Sequence, residues 1–150
     1  IRLEQQGLTM RQVLTEKSVH NAMTVHAAFG GSTNLLLHVP AIAHAAGLKR
    51  PSIQDWIDVN RQAPRIVDVL PNGPKYHPTV QVFLAGGVPE VMLHLRRLGL
   101  LHLDVLTVSG QTLGEMLDWW EQSERRKLVR QKLKEQLRAR RIAIRQLDRS

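Results

Sequence analysis

Three glycine-containing turns lead into predicted helices and carry the residues best suited to bind a ligand. They are Gly30-Gly31-Ser32-Thr33-Asn34, Gly86-Gly87-Val88-Pro89 and Ser109-Gly110-Gln111-Thr112. Each turn can offer backbone N–H groups and the positive end of a helix dipole to an anion. The first turn is the most suggestive, because Ser, Thr and Asn add side-chain donors. The alternative is that all three are ordinary helix stops and caps, and none has P-loop or dinucleotide-binding spacing.

The histidines and acids do not form a recognisable catalytic or metal set. A metal site on one helix face needs two histidines three or four residues apart, and no two of the seven histidines have that spacing. His38 and His94 lie nearest a glycine turn and remain candidates, with packed or surface histidines as the alternative. Glu90 stands at a helix start, where a carboxylate offsets the dipole, and Asp104 precedes a predicted strand as a turn acid.

Capping residues and apolar spacing predict a mostly helical chain. Thr9 and Gln12 form a capping box. The predicted helices are Thr15–Ala28, Thr33–Ala46 capped by Ser32, Ser52–Gln62, Pro78–Leu84, Pro89–Leu98, Thr112–Trp120 and Ser123–Arg149. Pro40 removes a backbone donor and should kink or split its helix. Two short apolar runs, Ile66–Leu70 and Val105–Val108, predict strands. The predicted class is therefore α/β, with few short strands and a long C-terminal helix.

Composition and charge divide the chain into a neutral body and a basic tail. Residues 1–122 hold ten basic and ten acidic residues, whereas residues 123–150 hold 11 Lys/Arg and 3 Asp/Glu. The tail lacks aromatics and base-reading motifs, so we expect a solvated helix face rather than a nucleic-acid site. The chain has no cysteine and no apolar run of about 20 residues. We expect a cytoplasmic protein without a membrane span, disulfide or thiolate-held metal.

An ordered series of motifs carries a family resemblance. Its members are Met10-Arg11-Gln12-Val13-Leu14-Thr15, Phe29-Gly30-Gly31-Ser32-Thr33-Asn34, Ala41-Ile42-Ala43-His44-Ala45-Ala46-Gly47, Ala85-Gly86-Gly87-Val88-Pro89-Glu90 and Leu106-Thr107-Val108-Ser109-Gly110-Gln111-Thr112. The series resembles the dihydroxyacid and 6-phosphogluconate dehydratase family. The segments Val19–His26, Leu70–Pro74 and Trp119–Arg126 favour its sugar-acid branch, the D-xylonate dehydratases. The resemblance spans about Met10 to Arg126.

The resemblance implies a mostly helical part of the family's N-terminal α/β domain, and a hydro-lyase. Such enzymes remove water from a 2,3-dihydroxy acid to give a 2-keto acid. An iron–sulfur cluster acts on the leaving hydroxyl and a magnesium ion holds the acid. The implied substrate is a small sugar acid, and the full-length form is expected to be a homo-oligomer. By position, Gly31, Ser32, Thr33 and Asn34 would line the substrate cleft.

The sequence departs from the family pattern where the cofactors bind. It contains no cysteine for a cluster, so no catalytic or metal role carries over to its residues and no cofactor is expected in this chain. The first residue is Ile1 rather than Met, so we expect the true N-terminus to lie upstream. A fragment without the cluster cysteines is expected to be inactive alone. Its exposed apolar faces predict aggregation or dimerisation. Two alternatives remain open: a non-catalytic protein that binds through its basic helix, and a degenerate remnant.

Overall fold

A computed structural model describes residues 2–69 and 79–147, and helices dominate these ranges. They are α1 (Arg2–Gln5), α2 (Met10–Val13), α3 (Glu16–Phe29), α4 (Leu35–Ala45), α5 (Ile53–Gln62), α6 (Thr79–Leu84), α7 (Gly87–Arg97), α8 (Leu113–Gln122) and α9 (Glu124–Leu147). The predicted helices are present with ends that agree within two residues, and the predicted end at Arg149 lies outside the described residues. The segment Leu70–Pro74, which carries part of the resemblance, and Pro78, the predicted start of a helix, lie outside the described residues.

The helix starts confirm most of the predicted caps. Thr15, Ser52 and Thr112 begin α3, α5 and α8, and each side-chain oxygen accepts a backbone N–H from the third helical residue. The Asp55 and Glu115 carboxylates return the bond to the cap residue. These reciprocal bonds satisfy donors that a helix start would otherwise leave free. The same chemistry holds at Thr9, whose N–H donates to Gln12 Oε1 at 2.8 Å.

The start of α4 differs from the prediction. Ser32 is not its N-cap, because residues 33 and 34 form a turn and the helix begins at Leu35, after Asn34. The Ser32 carbonyl accepts from Leu35 N–H at 3.1 Å, so the segment tightens into a turn before the helix. Pro40 does not split α4, which continues to Ala45. Because α4 starts only five residues before it, Pro40 removes one hydrogen bond near the helix start.

Neither predicted strand forms among the described residues. Residues 64–69 have no regular secondary structure, and Val105–Val108 contributes a single antiparallel bridge between Leu106 and Thr112. The strand prediction for Ile66–Leu70 is therefore wrong over 66–69. The N–H groups of Ile66 and Val67 both donate to the Ala28 carbonyl, while Val67 packs in a core cluster. Burial against helices produces the same short apolar run as a buried strand. The mostly helical prediction is confirmed, whereas the α/β class is not.

Aliphatic residues and two tryptophans fill a core made of three adjoining clusters. One joins α3, α4 and α5 around Met23, Ala43 and Trp56. A second joins α7 and α8 around Leu93, Leu117 and Trp120, and the third joins α3 and α7 through Ala28 and Leu95. None of the described helices is long and apolar enough to cross a bilayer. The core fixes the end of α3 and the start of α4, between which the first glycine turn lies.

Candidate functional site

The Gly30–Asn34 turn closes α3 in a conformation that requires glycine. Gly30 is the C-cap with φ 58° and ψ 48°, a left-handed backbone that is unfavourable for other residues. A Cβ built on Gly30 would also clash with the guanidinium of Arg65. Arg65 Nε donates to the Val67 carbonyl at 3.1 Å, which holds the guanidinium beside the turn. The exposed guanidinium of Arg65 therefore lies next to the turn. The sequence pattern did not reveal this cation.

His26, in the last turn of α3, supports the Gly30–Asn34 turn. Its Nε2 lies 3.0 Å from the Ser32 carbonyl, and since a carbonyl only accepts, Nε2 carries the proton. The ring fills the space where a Cβ of Gly31 would stand. It also meets Trp56 edge to face, with ring centroids 5.5 Å apart. Gly31 is thus required for close approach of the imidazole, and the buried Trp56 fixes the imidazole from the other side.

The Ser32, Thr33 and Asn34 side chains lie together on the exposed surface of the turn. The backbone N–H groups at the start of α4 are used within the turn: Asn34 N–H donates to Ser32 Oγ at 3.3 Å, and Leu36 N–H donates to the Thr33 carbonyl at 3.0 Å. These groups are therefore engaged rather than offered to an anion. What the turn presents is two hydroxyls and an amide, which suit the hydroxyl groups of a polyol.

The second glycine turn borders a cavity of about 330 Å³. Gly87 and the aliphatic residues Val67, Val82 and Val91 form part of its wall. Its polar lining consists of Asp68, Gln81, Glu90 and His94. Such a mixture of apolar walls and a few polar groups is typical of small-molecule sites. His94 therefore lines a cavity. His38 is exposed on α4, and its backbone N–H donates to the Asn34 carbonyl.

Glu90 has a second partner besides the helix dipole. Its carboxylate pairs with Arg126 of α9 through two bonds, Nε to Oε2 at 2.7 Å and Nη2 to Oε1 at 2.8 Å. Trp120 Nε1 donates to Glu90 Oε2 at 3.3 Å. The Arg126 side chain is only 9% exposed, and its hydrogen bonds hold the pKa of Glu90 below its usual range. The pair fixes the start of α9 to α7.

The third turn and the remaining candidates have structural partners. Gly110, with φ 83°, lies against the Gln6 side chain, and Thr112 caps α8. Asp104 pairs with Lys17, whose hydrogen bond lowers the Asp104 pKa. His20 contacts His102 edge to face at 5.1 Å, and burial lowers the His20 pKa, with the His102 charge as the second cause. These contacts explain the placement of these residues, and no bound ligand is needed to explain it.

Comparison with known proteins identifies the family. The N-terminal region of the dihydroxy-acid/6-phosphogluconate dehydratases matches residues 1–116. The chain belongs to this family. Two D-xylonate dehydratases of Escherichia coli (strain K12), YjhG and YagF, are 66% identical to it over 136 and 134 residues, which is 91% and 89% of the chain. A dihydroxy-acid dehydratase of Dinoroseobacter shibae is 47% identical over 116 residues, 77% of the chain.

The chain spans about a fifth of the length of these dehydratases, since the matched stretch is 21% of YjhG and 20% of YagF and of the D. shibae enzyme. Iron–sulfur ligation in proteins relies on cysteine thiolates, and the sequence has none. Over residues 2–69 and 79–147, no group of three His, Asp or Glu side chains stands close enough to hold a metal ion. The residues of this chain therefore do not fit an iron–sulfur cluster.

Proposed function

We propose that the chain is a segment of a hydro-lyase that dehydrates a sugar acid such as D-xylonate to a 2-keto-3-deoxy acid. The observation that carries the proposal is the difference in identity between the two groups of relatives. The D-xylonate dehydratases are 66% identical over about nine-tenths of the chain, against 47% over 77% for the D. shibae dihydroxy-acid dehydratase. The sugar-acid branch therefore gives the better account of its substrate.

Within that function, Gly31, Ser32, Thr33 and Asn34 line the substrate cleft. Support comes from the exposed hydroxyls and amide of the turn, which can hydrogen-bond the hydroxyls of a polyhydroxy acid. The His26–Ser32 bond of 3.0 Å holds the turn in place. Arg65 places a positive charge next to Gly30, which is compatible with an anionic substrate.

The segment is inactive by itself and takes no cofactor of its own. A sequence without cysteine cannot supply thiolates to a cluster, so the cluster and the magnesium ion that the family uses would be held by other parts of a full-length dehydratase. The partner of that full-length form is the sugar acid. We further propose that the full-length form is a cytoplasmic homo-oligomer.

A direct test of the inactive segment uses the purified chain. It is mixed with D-xylonate, magnesium, ferrous iron and sulfide under anaerobic conditions, and 2-keto acid formation is followed. No product above a protein-free blank is expected. Sustained turnover by the chain would refute the proposal that it lacks a complete site.

The cleft role is tested in a chimera, in which the chain replaces the matched stretch of YjhG. In that background Ser32→Ala and Thr33→Ala should raise the KM for D-xylonate about tenfold each, because each loses one hydrogen bond to substrate. Gln54→Ala, an exposed change on α5, is the matched control and should leave KM unchanged. Unaltered KM and kcat in both turn variants would show that the turn does not line the substrate cleft.

A further inference from the structure

Six of the ten basic residues of α9 form one stripe along the helix. Basic residues recur at intervals of three or four, at Lys127, Arg130, Lys134 and Arg138, and the same spacing continues at positions 141 and 145, both Arg in the sequence. At 100° per residue, these six positions fall within a sector of about 80°. The acidic residues at positions 124 and 135 lie outside that sector, although the Glu124 carboxylate pairs with Lys127 Nζ at 2.6 Å. The first four side chains of the stripe are all exposed.

A different side of the helix is anchored to the body. Arg126 is buried in its pair with Glu90, and Val129 and Leu133 are half-buried. The helix starts at a fixed point, since Ser123 Oγ accepts from Arg126 N–H at 3.2 Å. The anchored side lies roughly 100° around the helix from the stripe. Consequently the contacts that hold α9 leave the first four cations of the stripe in solvent.

The spacing of the stripe fits a linear polyanion. Successive cations rise by about 5 Å, and positions 127 and 145 are about 27 Å apart along the helix axis. Phosphates on one strand of duplex DNA repeat at about 3.4 Å along the axis, so a stripe of this length can meet several of them. The family match ends at residue 116, whereas the 136-residue match to YjhG reaches at least residue 136 and includes the first half of α9.

We propose that α9 is a sequence-independent nucleic-acid-binding arm that contacts phosphates through this stripe. The sequence led us to expect a solvated face, since aromatics and base-reading motifs are missing. Those features serve base recognition, and phosphate binding does not require them. A membrane surface is less suitable, because residues 121–150 contain no Phe, Trp or Tyr to enter the lipid interface.

The test is fluorescence anisotropy of a labelled 20-base-pair duplex titrated with the full chain at 25–300 mM salt. Four to six phosphate contacts predict that affinity falls roughly 10²- to 10³-fold between 50 and 200 mM salt. The triple variant Arg130→Gln, Lys134→Gln, Arg138→Gln should lose at least tenfold in affinity at 50 mM salt. It should also flatten the slope of log K against log salt by about 2 to 3.

A matched control separates the stripe from net charge. The triple variant Arg11→Gln, Lys49→Gln, Arg61→Gln removes the same three charges from exposed positions on the body and should bind within threefold of the parent. Circular dichroism of both variants checks the helix content. Equal losses in both variants, or no binding at 25 mM salt, would overturn the proposal. Preferential binding to vesicles of anionic phospholipid over the duplex would overturn it in favour of a membrane surface.

Discussion

The substitution Gly31→Ala tests how the candidate turn is held. The backbone of Gly31 is not left-handed, unlike that of Gly30, so an alanine brings no strain in φ. The added methyl would clash with the His26 ring and push it away from Ser32 and Trp56. The lost hydrogen bond costs about 1 kcal/mol, and the lost ring contact costs about 1 kcal/mol. Reduced freedom of the unfolded chain returns about 0.5 kcal/mol.

The expected net loss is therefore about 1.5 kcal/mol, or roughly 3–6 °C in Tm for a chain of this size. Thermal and urea unfolding measure it, with Gly47→Ala as a control. Gly47 has φ 72°, and among the described residues no atom lies within 4 Å of a Cβ there, so its variant reports left-handed strain alone. In a His26→Ala background the methyl has room, and Gly31→Ala should become neutral or slightly stabilising. An equal loss in both backgrounds would refute this account of the turn.

Three further predictions concern stability. Glu90→Gln should destabilise by about 3 kcal/mol in urea unfolding, because it leaves the buried Arg126 charge uncompensated. The Glu90 pKa is lowered in the folded state, so the parent should lose stability as pH falls below the ordinary glutamate pKa of about 4.3. The Glu90→Gln variant should lose less stability over the same range. Parallel stability–pH profiles for the two proteins would contradict this. Leu93→Ala should cost about 3 kcal/mol because Leu93 is 0% exposed, whereas Ile53→Ala, at 81% exposed, should cost under about 0.5 kcal/mol. His20 has a lowered pKa in the folded state, so stability should decline as pH falls below about 6.5. The decline should be smaller in the His20→Gln variant. A stability–pH profile that is unchanged in this variant would show that His20 does not cause the decline.

Local chemistry made much of the fold predictable. A cap oxygen and its partner lie three residues apart, so Thr15, Ser52 and Thr112 were visible in the sequence. The Gly30-Gly31 stop of α3 was visible for the same reason, because a helix end needs a residue that tolerates positive φ. The strand prediction for 66–69 failed because hydrophobicity reports burial and does not specify which element provides it.

Tertiary contacts could not be predicted from spacing. Glu90 and Arg126 are 36 residues apart, and no local pattern pairs them. Arg65 and His26 reach the Gly30–Asn34 turn from different elements, so the sequence marked the turn and missed the side chains that support it. The spacing of the basic residues of α9 was present in the sequence, but their exposure depended on which side of the helix packs against α6 and α8.

The most direct test of the sugar-acid assignment grafts the chain into two hosts, replacing the matched stretch in YjhG and in the D. shibae dihydroxy-acid dehydratase. We expect the YjhG graft to dehydrate D-xylonate with a kcat/KM within about tenfold of its parent, which is a barrier change of at most about 1.4 kcal/mol. We expect the D. shibae graft to lose at least a hundredfold in kcat/KM on its own substrate. A YjhG graft that folds with its cofactors bound but does not turn over D-xylonate, beside a fully active D. shibae graft, would contradict it.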